Sequence, residues 1–226
     1  PVTGGAFQSS FEGERDCILL KFSPTGSRIF ATLIGGWYFD DAYSVATGGD
    51  GTIAVCGTVA SNNFPNSAGG FQLVKRGTWD AFIGRFMPDG TRHWITLYGG
   101  NNDGTLSDEE AANGIAVYPS GNIMVTGRTR SLDFPVTGDA AQPARAGKLD
   151  SFIVKMRADG SRIWASYFGG TDDESEVSSR GLASIASDWR GTAVITGWTN
   201  STDFPVTGGA AQRTKGTGWD AFLVKF

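Results

Sequence analysis

The sequence predicts an all-β fold of repeated antiparallel units, and three observations carry that expectation. Glycine is abundant, at 33 of 226 residues, while charged residues reach only 19%, the balance of many short strands joined by tight turns. One segment recurs: SLDFPVTGDAAQ returns as STDFPVTGGAAQ, and PVTGGAFQ opens the chain. Finally, Asp16, Asp80, Asp150 and Asp220 open the apolar stretches DCILLKF, DAFIGRF, DSFIVKM and DAFLVKF at intervals of 64, 70 and 70 residues.

Each of the first three stretches leads through a turn into a second strand that ends on a glycine pair: TGSRIFATLIGG, DGTRHWITLYGG and DGSRIWASYFGG. Two more strands follow, clearest as GIAVYP and NIMVTGRT around Ser120-Gly121. Four short strands per unit of about 65–70 residues, without a helical period, match one blade of a β-propeller rather than a helical or leucine-rich solenoid. The strands are expected at residues 114–119 (A), 122–129 (B), 150–156 (C) and 162–168 (D). In strand C, Phe152, Val154 and Met156 share one face and Ile153 takes the other beside Ser151 and Lys155, so this strand can pack between two neighbours. The small residue late in strand B, in Val125-Thr126-Gly127, predicts a close backbone approach or a bulge.

The repeats divide at Phe64-Pro65, Phe134-Pro135 and Phe204-Pro205 into units 1–64, 65–134, 135–204 and a partial 205–226. Phe64, Phe134 and Phe204 share this place, and Phe134 and Phe204 are expected to be buried where strand B leaves its sheet, with the following proline ending the ladder. In chain order the strands run C, D, then A to D twice, then A, B, C, making 13 where three complete blades need 12. Propellers usually have 4–8 blades, so about three blades of a larger propeller are expected, covered by further blades of the same polypeptide or by a partner subunit. The tight A–B and C–D turns belong on one face, and the long B–C and D–A connections on the other.

Composition narrows the function classes. A net charge of −4 and a pI near 5.0 give no general attraction to nucleic acid or anionic lipid. No stretch approaches the roughly 18 apolar residues of a spanning helix. Cys17 and Cys56 stand where other units have Ala81, Ser151 and Ala221, or Thr126 and Thr196, so unpaired buried thiols are expected over a disulfide.

The segments GIAVYPSGNIMVTGRTRSLDFPVTGDAAQ and GKLDSFIVKMRADGSRIWASYFGG, with their equivalents in the other units, resemble the bacterial β-propeller repeat often labelled SBBP. That resemblance implies a propeller fold, a bacterial envelope or extracellular location, and a scaffold or adhesive role without shared catalytic residues. Residues 43–60 depart most, through a shorter D–A loop and Cys56 in place of threonine.

Candidate sites are sparse. Acidic loops follow the glycine pairs, and Asp103, Asp108, Asp172 and Asp173 offer oxygen ligands for Ca²⁺, but the spacing of an EF-hand is absent and solvated loops are the favoured reading. Asp16, Asp80, Asp150 and Asp220 are expected to accept hydrogen bonds from backbone N–H groups as the B–C loop enters strand C. A single histidine, His93, gives no zinc cluster. Trp94 and Trp164 align with Phe30 as packing residues, and Trp79 and Trp219 precede the repeated Asp as loop anchors. Trp37, Trp189 and Trp198 lack aromatic equivalents and are the candidates for stacking on a glycan. The expected function is a non-enzymatic, cofactor-free protein-binding or structural module, with a lectin-like propeller or a propeller enzyme whose site lies in other blades as alternatives.

Overall fold

The computed structural model describes residues 2–101, 109–174, 184–188 and 190–226, and among them lie thirteen β-strands and no helix. Strands β1 (Cys17–Phe22) and β2 (Arg28–Ile34) form a two-stranded sheet. Two four-stranded sheets follow: β3 (Asp40–Thr47), β4 (Ile53–Val59), β5 (Asp80–Phe86) and β6 (Arg92–Tyr98), then β7 (Ala111–Val117), β8 (Ile123–Thr129), β9 (Asp150–Met156) and β10 (Arg162–Phe168). Strands β11 (Ser184–Ser187), β12 (Ala193–Thr199) and β13 (Asp220–Lys225) complete a three-stranded sheet. Every ladder is antiparallel between strands consecutive in the chain.

The expected C and D strands coincide with β9 and β10, whereas β7 begins at Ala111, three residues before the expected A strand. A bulge explains the difference. The β7–β8 register shifts between Ala112 and Gly114, so the strand pairs on past the irregularity. Gly127 faces this bulge, and a Cβ there would stand 2.0 Å from the Ala111 carbonyl oxygen. The β3–β4 ladder repeats the device between Ala42 and Ser44, opposite Gly57.

Both tight hairpins of each four-stranded sheet use one five-residue turn. Backbone bonds Tyr118 N to Asn122 O and Arg157 N to Ser161 O, both 2.8 Å, close the turns, and Gly121 and Gly160 take φ of 79° and 90° at the fourth position. A B–C connection of 20 residues and a D–A connection of variable length separate these hairpins.

The sheets lie face to face in a row. Phe152, Val154 and Met156 pack with Cys56, Ile83 and Trp94 of the preceding sheet, while Ile153 and Met124 on the opposite face pack with Ile195 and Phe222 of the next. Phe82, Phe86 and Ile95 similarly meet Leu19, Phe30 and Ile34 of the first sheet. The first strands converge: β7 packs on β3, and β11 on β7. Hydrogen bonds cross the same junction, from Thr58 Oγ1 to Glu110 O at 2.8 Å and from Ser187 Oγ to Val117 O at 3.3 Å.

Phe64 and Phe134 are buried, and Phe134 touches Tyr98, Phe152 and Tyr167. Phe204, expected to match them, is half-buried and packs on Phe168 and Phe222. The prolines do not end the ladder: β8 stops at Thr129, well before Pro135. Phe134→Ala should therefore cost about 3–5 kcal/mol by chemical denaturation and Phe204→Ala clearly less; equal losses would contradict this packing.

Candidate functional site

The long connections meet at one end of the row. Trp79 pairs with Glu109 and Arg15 with Phe39 as parallel bridges, so the end of each B–C connection lies beside the end of the neighbouring D–A connection. Glu174 N donates to Leu149 O at 2.7 Å in the same manner. Tight turns gather at the opposite end, tied by Arg85, whose guanidinium donates to Gly121 O at 2.7 Å, Thr52 Oγ1 at 2.8 Å and Asp50 at 3.1 Å.

A repeated polar network anchors each long connection. Asp80 accepts from Gly77 N at 2.8 Å, Arg76 N at 3.0 Å and Gln72 Nε2 at 2.6 Å. Asp150 accepts from Gly147 N, Ala146 N and Gln142 Nε2 at 2.8–2.9 Å. Asp16 receives Glu12 N and Gln8 Nε2, and Asp220 receives Gly216 N and Gln212 Nε2. Each glutamine lies eight residues ahead of its aspartate, a fixed spacing that could have revealed it from sequence. Its Oε1 then accepts from the first glycine of the pair ending strand D: Gly35, Gly99 or Gly169, at 2.9–3.1 Å.

A second buried acid stands in each D–A connection or at its end, Asp40, Glu110 or Glu174, where the sequence led us to expect solvated acidic loops; hydroxyl and N–H donors make their burial possible. Asp40 accepts from Gly36 N and Ser61 Oγ, both 2.7 Å. Glu110 Oε1 accepts from Thr129 Oγ1 and Ser131 Oγ, both 2.7 Å, and Glu174 Oε1 from Thr199 Oγ1 and Ser201 Oγ. Oε2 of Glu110 and of Glu174 is buried without a partner. A Cβ on Gly77 would stand 3.2 Å from Asp80 Oδ1 and 3.4 Å from Glu110 Oε2, so two carboxyl groups share one desolvated place. Burial first, then nearby Asp80, pushes Glu110 up to about 7; burial and nearby Asp150 do the same for Glu174. A protonated Oε2 can donate, where an ionised one would face a second anion.

Asp40, Asp80, Glu110, Asp150 and Glu174 are fully buried and fasten loops. Of the calcium candidates, Asp172 and Asp173 sit half-buried in the D–A connection, where Asp172 accepts from Asp173 N and Asn200 Nδ2, while Asp103 and Asp108 lie outside the described residues. Among the described residues no three His, Cys, Asp or Glu side chains gather as a metal site would require. Cys17 and Cys56 are free and buried, and burial pushes both thiols well above their ordinary value, away from the thiolate a nucleophile needs.

Surface features lie elsewhere. Trp37 is 64% exposed on the long-loop end, where Tyr38, Val74 and Leu132 are also exposed. Trp79 stacks on Phe39, Trp94 is buried between sheets, and Trp189 lies outside the described residues. A groove of about 530 Å³ runs between β13 and residues 199–215 of the last B–C connection.

No family model matches the chain. Over 169 residues, 73% of its length, it is 26% identical to the regulatory protein FlaEY of Caulobacter vibrioides. The chain covers 17% of that protein, so the likeness concerns a small part of a larger molecule.

The raised acids set the pH dependence of stability. In the folded chain Glu110 titrates near 7 against an ordinary 4.5, so the folded state holds the extra proton between those values. Its contribution is fully present below about 4.5 and is lost as pH rises through about 7, on the order of 3 kcal/mol. Denaturation midpoints should fall from pH 5 to pH 8, and Glu110→Gln should flatten the slope. Stability that climbs over that range would refute the assignment.

Proposed function

We propose that this chain is a non-enzymatic protein-binding or structural module of a bacterial surface or extracytoplasmic assembly, its sheets serving as blades of a β-propeller. The observation that carries this proposal is the exposed apolar set on the long-loop end, Trp37, Tyr38, Val74 and Leu132, held on a row of sheets that bury both faces. Surface connections held in place on a stack of sheets suit recognition of another protein. Convergence of β3, β7 and β11 supports the propeller arrangement, since first strands in such a fold line a shared axis while outer strands fan apart. The SBBP resemblance supports an extracytoplasmic location, and the likeness to a protein named as regulatory supports a role exerted through other macromolecules. The exposed Trp37 ring also supports a second reading, a loop site that stacks on a sugar.

A photo-crosslinking residue at position 37 or 132, in cells making the full-length protein, should yield discrete adducts with another polypeptide, and one at 89 on the tight-turn end should not. Adducts equally abundant from 89, or none from either loop position, would overturn the proposal. Selective binding on a glycan array that Trp37→Ala abolishes would favour the sugar reading instead.

A further inference from the structure

Between the first two B–C connections, at the long-loop end, lies a cavity of about 290 Å³. Phe7, Gln8 and Glu12 line it from one connection and Asn63 and Pro65 from the next, with Gly35 just past β2 and Arg92 at the start of β6.

One junction along the row, the same place is full. The counterparts of Phe7, Pro65 and Arg92 are Phe71, Pro135 and Arg162, and all three touch Tyr98. Phe71 stacks on its ring at 4.9 Å between centroids, its hydroxyl donates to Pro135 O at 2.5 Å, and Arg162 Nη1 donates to that hydroxyl at 3.2 Å. Phe168 ends β10 in the position of Tyr98. At the end of β2 that position is Ile34, a fully buried side chain with neither ring nor hydroxyl to place between Phe7, Pro65 and Arg92. The cavity is the room that an aromatic ring takes up at the next junction.

Its rim departs from the repeat in the same unit. Trp37, largely exposed, stands where Asn101 and Thr171 stand, Glu12 where Arg76 and Ala146 stand, and Asn63 where Asp133 and Asp203 stand. These changes free polar groups. Asp133 accepts from Asn101 N at 2.8 Å and from the Asn101 amide through its other oxygen, and Asp203 accepts from Thr171 N and Oγ1. Asn63 Oδ1 likewise accepts from Trp37 N at 2.9 Å, but the indole makes no second bond to Asn63, which leaves Nδ2 as a donor at the rim. Ser10 Oγ donates to Oε1 of Glu12 at 3.1 Å, leaving Oε2 as an acceptor. Arg92 is held over the Phe7 ring at 4.8 Å, with Nη1 donating to Pro65 O and Asn66 O.

The chemistry of these groups selects a class of ligand. The opposite charges of Glu12 and Arg92 cancel, so the cavity favours neither an anion nor a cation over a neutral molecule. Carboxylate, amide and guanidinium are planar forks that match adjacent hydroxyl groups, and an exposed indole face offers apolar surface to C–H groups. We propose that this cavity seats the terminal residue of a neutral saccharide, its hydroxyls meeting Glu12, Asn63 and Arg92 and its C–H face lying on Trp37. This inference rests on the sugar reading of Trp37 and adds to it the place where the sugar sits, made by Ile34 in the position of an aromatic ring.

The test is titration calorimetry with the methyl glycosides of glucose, galactose, mannose and N-acetylglucosamine, and with cellobiose, lactose and diacetylchitobiose. At least one of these should bind saturably at millimolar concentration or below. Glu12→Arg and Trp37→Ala, both at exposed positions, should each weaken it at least about tenfold. Ile34→Tyr should abolish binding while the melting temperature stays within about 3 °C, because its hydroxyl can bond Pro65 O as Tyr98 bonds Pro135 O. Should Ile34→Tyr unfold the chain, Glu12→Arg decides. Affinity lost in Trp37→Ala but retained in Ile34→Tyr and Glu12→Arg would leave the sugar reading standing and overturn the cavity as its seat. Tighter binding of glucuronate than of glucose would overturn the neutral class. No saturable binding of any of these probes would overturn both this inference and the sugar reading.

Discussion

Every interior sheet of this protein is apolar on both faces, and the rest of the structure depends on that constraint. In β9 the odd and even side chains serve different neighbours, Phe152, Val154 and Met156 facing back along the row and Ile153 facing forward. Such a sheet cannot face water on either side, so it persists only between two others. Stacking then dictates the hairpin turns, because consecutive sheets must approach closely enough for Gly90 and Gly160 to touch the aromatic rings of the sheet before.

Stacking alone would leave each 20-residue B–C connection loose, since irregular backbone cannot pair with itself. The buried acids address this. Asp80 collects two backbone N–H groups and a glutamine amide, and the same glutamine reaches across to the end of strand D, so one side chain pair joins three pieces of chain. Burying a carboxyl is costly unless it is bonded, which accounts for the hydroxyls of Thr129 and Ser131 around Glu110. Where the D–A connection is short, residues 35–39, Asp40 suffices and Gly36 N reaches it; after the longer connections the extra methylene of Glu110 and Glu174 spans to the hydroxyls.

Strand positions were legible because apolar alternation and turn glycines are local signals, and β9 and β10 begin and end where they were expected. The start of β7 was not, because a bulge hides the period-two pattern that a strand otherwise shows. The four repeated aspartates stood out through their place before apolar strands, yet Gln72, Ser131 and Glu110 did not, although Gln72 recurs at a fixed spacing. Their roles depend on which sheet lies next to which, and no single unit contains that information. Phe204 shows the same limit: its sequence matches Phe134, yet it is half-buried against Phe168 and Phe222 where Phe134 is buried among Tyr98, Phe152 and Tyr167.

Repetition also separates two kinds of exposed hydrophobic residue. Leu223, 75% exposed, occupies the place of Ile83 and Ile153, both buried against a following sheet, and Trp198 occupies the place of Thr58 and Arg128, both buried too. Ile18, Leu20 and Phe22 are exposed on the opposite end face, the side on which Phe82 and Phe86 are covered by the sheet before theirs. These exposures follow from position in the row, so Trp198 is weak evidence for a sugar platform. Trp37 and Leu132 differ, because neither end face includes them and their counterparts, Asn101 and Thr171 or Asn62 and Thr202, are polar. Packing between sheets does not require an apolar side chain there, and the proposed recognition surface at the long-loop end rests on that contrast.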